Sequence, residues 1–209
     1  MADPRVEKLA NVLVHYSLRI RPGDLFRIIG AALAAPLIRE VYREALAAGA
    51  HPFVRVSVDG LEEIYLKTAS DEQLRFVSEL QRAETEQITA SLGIWGGWNT
   101  RELTQVDPKR MALRREATRE VGRRFLERAA KDELRWCGTQ YPTQAEAQDA
   151  EMSLSEYEDF VYGAGMLDRA DPVAAWEEVR RTQDRIVAFL NTCKTLVVRG
   201  PDVDLCRGR

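Results

Sequence analysis

Polar side chains that could hold a ligand follow two predicted strands. Asn99 and Arg101 come after the strand that ends near Trp95, and Tyr141 and Thr143 come after the next strand. In a parallel sheet both loops emerge at the same edge, where ligands commonly bind, and all four side chains can form hydrogen bonds. Asn-Thr and Pro-Thr pairs are also common in turns and helix caps. Turn and cap chemistry is therefore the first interpretation of these residues, and the functional prediction beside it is that the four line a cavity. We assign none of them a catalytic role.

Metal chemistry requires histidines and carboxylates that converge, and the sequence offers few. Its two histidines are His15, on the first predicted helix, and His51, before the second strand, and neither has a ligand-spaced partner. Glu156 and Asp159 share a helix face and Glu158 adjoins them, but a capping role explains Glu156 and a solvated face explains the group. The three cysteines include no C-x-x-C pair. The sequence therefore predicts no metal ligand and no catalytic residue in this chain.

Motifs for phosphate binding and nucleophilic catalysis are also missing from the sequence. The turn after the first strand, residues 30–36, lacks the later glycines of a dinucleotide fingerprint and the Gly-Lys-Ser/Thr of a P-loop. Cys137 lies within a predicted strand without a basic neighbour, and no Gly-x-Ser-x-Gly sequence occurs. We interpret residues 30–36 as a helix entry and Cys137 as a small buried hydrophobic residue.

Short apolar runs rich in β-branched residues alternate with helical segments along the chain. The predicted strands are residues 25–29, 52–58, 88–95, 134–139 and 195–199. Helix starts are marked by Asp-Pro pairs at 3–4, 107–108 and 171–172 and by capping-box pairs at 70/73, 143/146 and 153/156. Strands that alternate with helices favour parallel crossovers, so we predict an α/β fold: a mostly parallel sheet of about five strands, helices on both faces, and a high helix content.

The composition limits the kinds of partner that the protein is expected to bind and the compartment in which it is expected to act. The chain has 209 residues, with 30 basic and 33 acidic side chains and a net charge of -3, so nothing in it predicts a nucleic-acid partner. No apolar stretch reaches the roughly 20 residues that cross a bilayer, which predicts no membrane partner. The N-terminus has no signal-peptide pattern and the cysteines form no disulfide framework, so we expect a cytoplasmic protein.

Several longer segments together resemble one enzyme family. The chain is similar to the N-terminal half of the M29 family of metal-dependent aminopeptidases, the group of the thermophilic aminopeptidases T and II. The matching segments cover essentially residues 9–205 and read NVLVHYSLRIRPGD, AAPLIREVYREALAAGAHPFVRV, LKTASDEQL, NTRELTQVDPKR, ELRWCGTQYPTQAEAQDAEMSLSEYEDFVYGA, LDRADPVAAW and VVRGPDVDL.

The resemblance implies an enzyme that removes N-terminal residues from peptides with broad preference. Such enzymes use two divalent metal ions, zinc or cobalt, to polarise the scissile carbonyl and supply hydroxide. In this family the ligands are glutamates, histidines and an aspartate of a second domain, beyond the point that matches Leu205. The resemblance therefore implies a peptide substrate and a homodimer for the full-length enzyme, and no metal bound to this chain.

The last residues depart from the family pattern. Cys206 to Arg209, CRGR, do not match. We therefore expect residues 1–200 to form the N-terminal α/β domain and residues 201–209 to be the aborted start of the metal-binding domain, in a chain truncated before its metal ligands and inactive by itself. The alternative is a non-catalytic module of doubly wound α/β type that binds a small molecule or a protein through residues 98–101 and 141–143. A mononucleotide-binding domain is a third hypothesis.

Overall fold

The computed structural model describes residues 3–208 and shows a helix-rich α/β protein. Its strands are β1 (Leu25–Ala31), β2 (His51–Ser57), β3 (Ala90–Trp95), β4 (Arg135–Gln140), β5 (Thr195–Gly200) and β6 (Val203–Gly208). Its α-helices are α1 (Pro4–Asn11), α2 (Ala35–Ala47), α3 (Leu61–Thr68), α4 (Asp71–Arg75), α5 (Glu79–Gln87), α6 (Pro108–Ala130), α7 (Gln144–Asp149), α8 (Leu154–Ala164) and α9 (Pro172–Thr192). A π-helical segment, Val12–Ser17, continues α1.

The chain divides into two compact units, the first ending at Asp168 and the second beginning at Arg169. The first unit holds α1 to α8 and β1 to β4, and the second holds α9, β5 and β6. The predicted division into residues 1–200 and 201–209 stays a prediction. Met1, Ala2 and Arg209, which belong to those predicted segments, lie outside the described residues.

The main sheet is parallel, as the sequence predicts, and its four strands run in the order β2-β1-β3-β4. The fifth predicted strand forms as β5, but it pairs with β6 in an antiparallel hairpin in which Thr195 faces Gly208. Only Pro201 and Asp202 separate the two strands, so this pairing closes a very short loop. The parallel sheet therefore has four strands, and the fifth belongs to a second, two-stranded sheet.

Side chains of the main sheet alternate between two helical layers. Phe26 and Ile28 of β1 are fully buried on the face that α2 covers. Arg27 points to the other face, where its Nη1 donates to Glu84 of α5 at 2.8 Å and its guanidinium lies 5.6 Å from the centre of the Phe125 ring of α6. This alternation confirms the prediction of helices on both faces.

The order of the strands also marks a place where ligands bind in such folds. From the central pair β1 and β3, the chain reaches β2 on one side and β4 on the other, and the connecting helices α2 and α6 lie on opposite faces. The connections therefore diverge at the carboxyl ends of β1 and β3. In open α/β sheets this point leaves a crevice in which ligands commonly bind.

No helix within residues 3–208 is both long enough and apolar enough to cross a membrane.

Candidate functional site

Two of the four residues predicted to line a cavity lie on an exposed turn. The Oδ1 atom of Asn99 accepts a hydrogen bond from the backbone N–H of Arg101 at 2.9 Å, which is the geometry of an Asx turn. The Arg101 guanidinium is solvent-exposed and lies 3.4 Å from Oδ1 of Asp149. Both residues therefore have partners within the protein, and their role as cavity lining stays a prediction.

Thr143 joins the two predicted loops to each other. Its Oγ1 donates to the carbonyl oxygen of Gly97 at 2.9 Å, across 46 residues of sequence. The loops approach so closely that a Cβ at Gly96 would lie 2.9 Å from the carbonyl oxygen of Tyr141, so glycine is required there. The two loops thus form one edge of the sheet, as their positions after neighbouring strands predict.

Tyr141 lies beside a cluster of charged groups that joins α1 to α8. Burial raises the pKa of the Tyr141 hydroxyl, and the carboxylates of Glu158 and Asp3 raise that pKa further. Arg5 holds this cluster together, because its guanidinium pairs with Asp3 at 2.8 Å and with Asp159 at 2.6 Å. Arg5 also lies 3.7 Å from Glu158, so Glu158 and Asp159 are both partners of this arginine. That the acidic group has no acid–base role stays a prediction.

After β4, one capping box that the sequence predicts is missing from the structure. The capping box between Thr143 and Glu146 does not form: the Thr143 side chain makes no cap hydrogen bond, and its hydroxyl donates to the carbonyl oxygen of Gly97. This one prediction is wrong, whereas the boxes of Ser70 with Gln73 and Ser153 with Glu156 are confirmed. Oε2 of Glu146, the other half of the predicted box, has no hydrogen-bond partner within the described residues.

An open cleft of about 400 Å³ lies at the carboxyl ends of β1 and β3, where the connections diverge. Its lining includes Ile29, Gly93, Trp95, Gly97, Thr100 and Glu146. The Oε2 atom of Glu146 is buried and has no hydrogen-bond partner within the described residues. The side-chain nitrogen of Gln140, the last residue of β4, is also buried and has no hydrogen-bond partner within the described residues. Of these two atoms, only Oε2 of Glu146 belongs to a residue that lines the cleft.

None of the four residues predicted to line a cavity is among the residues that line this cleft, and the sequence does not predict Trp95, Gly93 or Glu146 as its lining. Trp95 reads as the last apolar residue of a strand, and Glu146 reads as half of a capping box. The signal that identifies them is the strand order, because it shows which strand ends are neighbours.

In the part of the chain that the structure describes, the possible metal ligands do not converge. The Nε2 atom of His15 lies 2.8 Å from Oε2 of Glu44 on α2, and His51 is an exposed residue at the start of β2. Burial raises the pKa of the Cys137 thiol, which disfavours the thiolate that binds metals. Within residues 3–208, no three His, Cys, Asp or Glu side chains lie close enough together to hold an ion. This donor set does not fit a pair of divalent metal ions.

Comparisons by sequence and by structure find known proteins that are similar to this chain. The family model described as "Thermophilic metalloprotease (M29)" matches residues 2–208. Aminopeptidase 2 of Geobacillus stearothermophilus is 26% identical over 212 residues, covering 95% of this chain and 51% of that protein. The solved structure of wild-type AmpT from Thermus thermophilus gives a TM-score of 0.79 at 22% identity, covering 98% of this chain and 53% of that chain.

The chain spans about half the length of these relatives. At 22% identity, the likeness to the Thermus thermophilus structure shows a shared fold. The family match is stronger evidence of kinship because it extends over almost every residue, and it confirms the resemblance that the sequence segments indicate. The chain therefore belongs to the M29 family of thermophilic metalloproteases.

Proposed function

We propose that this chain is the N-terminal portion of a broad-specificity aminopeptidase that uses two divalent metal ions, zinc or cobalt, to remove N-terminal residues from peptides. Support comes from the family match over residues 2–208 and from the likeness to a protein named Aminopeptidase 2. In this proposal the α/β unit walls the active-site cavity of a cytoplasmic homodimer and presents the edge that carries Asn99, Arg101, Tyr141 and Thr143 toward the peptide.

We further propose that the 209-residue chain does not catalyse peptide hydrolysis by itself. The observation that carries this proposal is the donor set: His15 is paired with Glu44, and His51 lies apart at the start of β2. A metal-dependent hydrolase needs several ligands around each ion and an open position for water. The described residues offer no such set, so no step of the reaction is assigned to them.

The purified 209-residue chain, supplied with Zn²⁺ or Co²⁺, is expected to release no p-nitroaniline from leucine p-nitroanilide above a protein-free blank. Aminopeptidase 2 of Geobacillus stearothermophilus in the same buffer serves as the positive control. Metal binding is measured separately by equilibrium dialysis, in which we expect no retention of two ions per chain. Turnover that co-elutes with the chain in gel filtration and that a chelator abolishes would overturn the proposal.

A further inference from the structure

We propose that the cleft at the carboxyl ends of β1 and β3 binds a small protonated amine with a flat, apolar body. The site consists of Glu146, the Trp95 ring and the glycine-lined wall of Gly93 and Gly97. Binding there requires no metal ion. The proposal is therefore independent of the proposed peptidase activity, and each can fail without the other.

The charge of the cleft selects a cation. Glu146 is the one charged side chain among the described residues that line this cleft, and its buried Oε2 has no hydrogen-bond partner in the protein. A carboxylate in the wall of a cleft favours a ligand that brings a charged donor to it. An ammonium group is the strongest such donor, because its hydrogen bond is assisted by charge on both sides. Within the described residues, no lysine or arginine side chain lines this cleft. A phosphate would therefore meet a carboxylate with no cation to balance it, which argues against a nucleotide.

The walls of the cleft select a flat apolar body. The Trp95 ring folds over Gly138 of β4, where a Cβ would collide with it, yet 61% of Trp95 remains exposed. An exposed indole face attracts both aromatic rings and ammonium groups. No atom lies within 4 Å of the position that a Cβ would take at Gly93 or at Gly97, so both backbones border open space. Ile29 adds an apolar side chain to the same cleft.

Size and location agree with a small-molecule site. The cleft volume of about 400 Å³ falls within the range of roughly 300–1,000 Å³ that is typical of ligand pockets. It lies where the connections from β1 and β3 diverge, which is where open α/β sheets bind their ligands. The Thr143 hydroxyl donates a hydrogen bond to Gly97 and holds its loop in place, so this wall of the cleft is preformed.

Isothermal titration of the 209-residue chain, without added metal, tests the charge preference. Phenethylamine is expected to bind with a Kd of about 1 mM or below, as a small ligand with few atoms allows. 3-Phenylpropionate, which has the same ring and an anionic end, and AMP are expected to show no binding at the same concentrations. If 3-phenylpropionate or AMP binds as well as phenethylamine, or if phenethylamine does not bind, the proposal is wrong.

Substitutions test the location. Glu146→Gln keeps the shape of the side chain and removes its charge, and we expect it to weaken phenethylamine binding about tenfold or more. Because Oε2 of Glu146 has no partner, this variant is expected to keep the thermal midpoint of the wild type. Gly93→Val fills the cleft with a residue that suits a strand, and it is expected to abolish binding.

Gly122→Ala is the matched control, because Gly122 also borders open space but lies on α6, outside the cleft lining. This variant is expected to bind phenethylamine as the wild type does. Folding of each variant is checked by circular dichroism, and Gly97→Ala replaces Gly93→Val if the latter does not fold. Equal binding by the wild type, Glu146→Gln and a folded cleft-filling variant would overturn the proposal.

Discussion

Replacing Asp24 by alanine is expected to lower the free energy of unfolding by about 3–5 kcal/mol, as the loss of one partner from a buried ion pair does. Asp24 is only 8% exposed and precedes β1. Its Oδ1 accepts from the Thr89 hydroxyl at 2.9 Å, and its Oδ2 accepts from the backbone N–H of Arg21 at 2.7 Å and pairs with the Arg135 guanidinium. This carboxylate therefore joins the amino ends of β1, β3 and β4, and alanine leaves all three donors without it.

Urea denaturation followed by circular dichroism measures this loss. Asp149→Ala is the matched control, because Asp149 also pairs with an arginine, Arg101, but does so at the solvent-exposed surface. Exposed ion pairs contribute little to stability, so the control is expected to unfold close to the wild-type midpoint. Equal midpoint shifts for the two variants would contradict the importance that the structure gives to Asp24.

Asp24 also makes the stability of the protein depend on acid pH. Burial by itself raises the pKa of Asp24, but the donors of Arg21, Arg135 and Thr89 outweigh burial and hold that pKa below its usual value. A carboxyl group whose pKa is lowered by folding stabilises the protein above its unfolded pKa, about 3.9, and loses this contribution as pH falls through the folded value. Thermal midpoints are therefore expected to fall below about pH 4 in the wild type and to fall less steeply in Asp24→Asn. Parallel pH curves for the two proteins would refute this.

The elements that sequence reasoning predicts well are those that local contacts define. The side chain of Asp107 accepts from the N–H of Lys109 at 2.8 Å, and that of Asp171 accepts from the N–H of Ala174 at 2.9 Å. These bonds span two or three residues, so the residue types alone specify them. The same holds for the capping box of Ser153 with Glu156, in which both hydrogen bonds form.

The features that escape prediction depend on residues that are distant in the sequence. Thr143 has the sequence of a cap, but its side chain makes no cap bond and its hydroxyl donates to the carbonyl oxygen of Gly97, which follows the neighbouring strand β3. Oε2 of Glu146, which lines the cleft, likewise does not make the local bond that the sequence predicts. Strand order has the same character, because the alternation of strands and helices predicts a parallel sheet without specifying which strands are neighbours. The sequence therefore predicts that the two loops meet at one edge of the sheet, which the bond between Thr143 and Gly97 confirms, whereas the lining of the cleft depends on the fold. The role of the four predicted residues as cavity lining stays a prediction.

Replacing Arg128 by methionine is expected to lower the free energy of unfolding by about 3 kcal/mol, because buried acceptors lose a charged donor. Arg128 lies near the end of α6 and is only 7% exposed. Its Nη1 donates to the carbonyl oxygens of Thr85 at 2.7 Å and Ile88 at 2.8 Å, and its Nη2 donates to that of Glu133 at 3.2 Å. One guanidinium thus satisfies the end of α5 and the turn before β4 at the same time.

Methionine keeps most of the apolar stem of Arg128, so this variant isolates the loss of the donors from the loss of packing. Arg124→Met is the matched control, since Arg124 lies one turn earlier on α6 and pairs with Glu86 at 2.6 Å near the surface. We expect the control to change the urea midpoint far less than Arg128→Met does. Hydrogen exchange adds a local readout: the amides of α5 are expected to lose protection in Arg128→Met because the carbonyl groups at the end of that helix lose their donor. Unchanged exchange in α5, or equal midpoint shifts in both variants, would show that Arg128 does not hold the end of this helix.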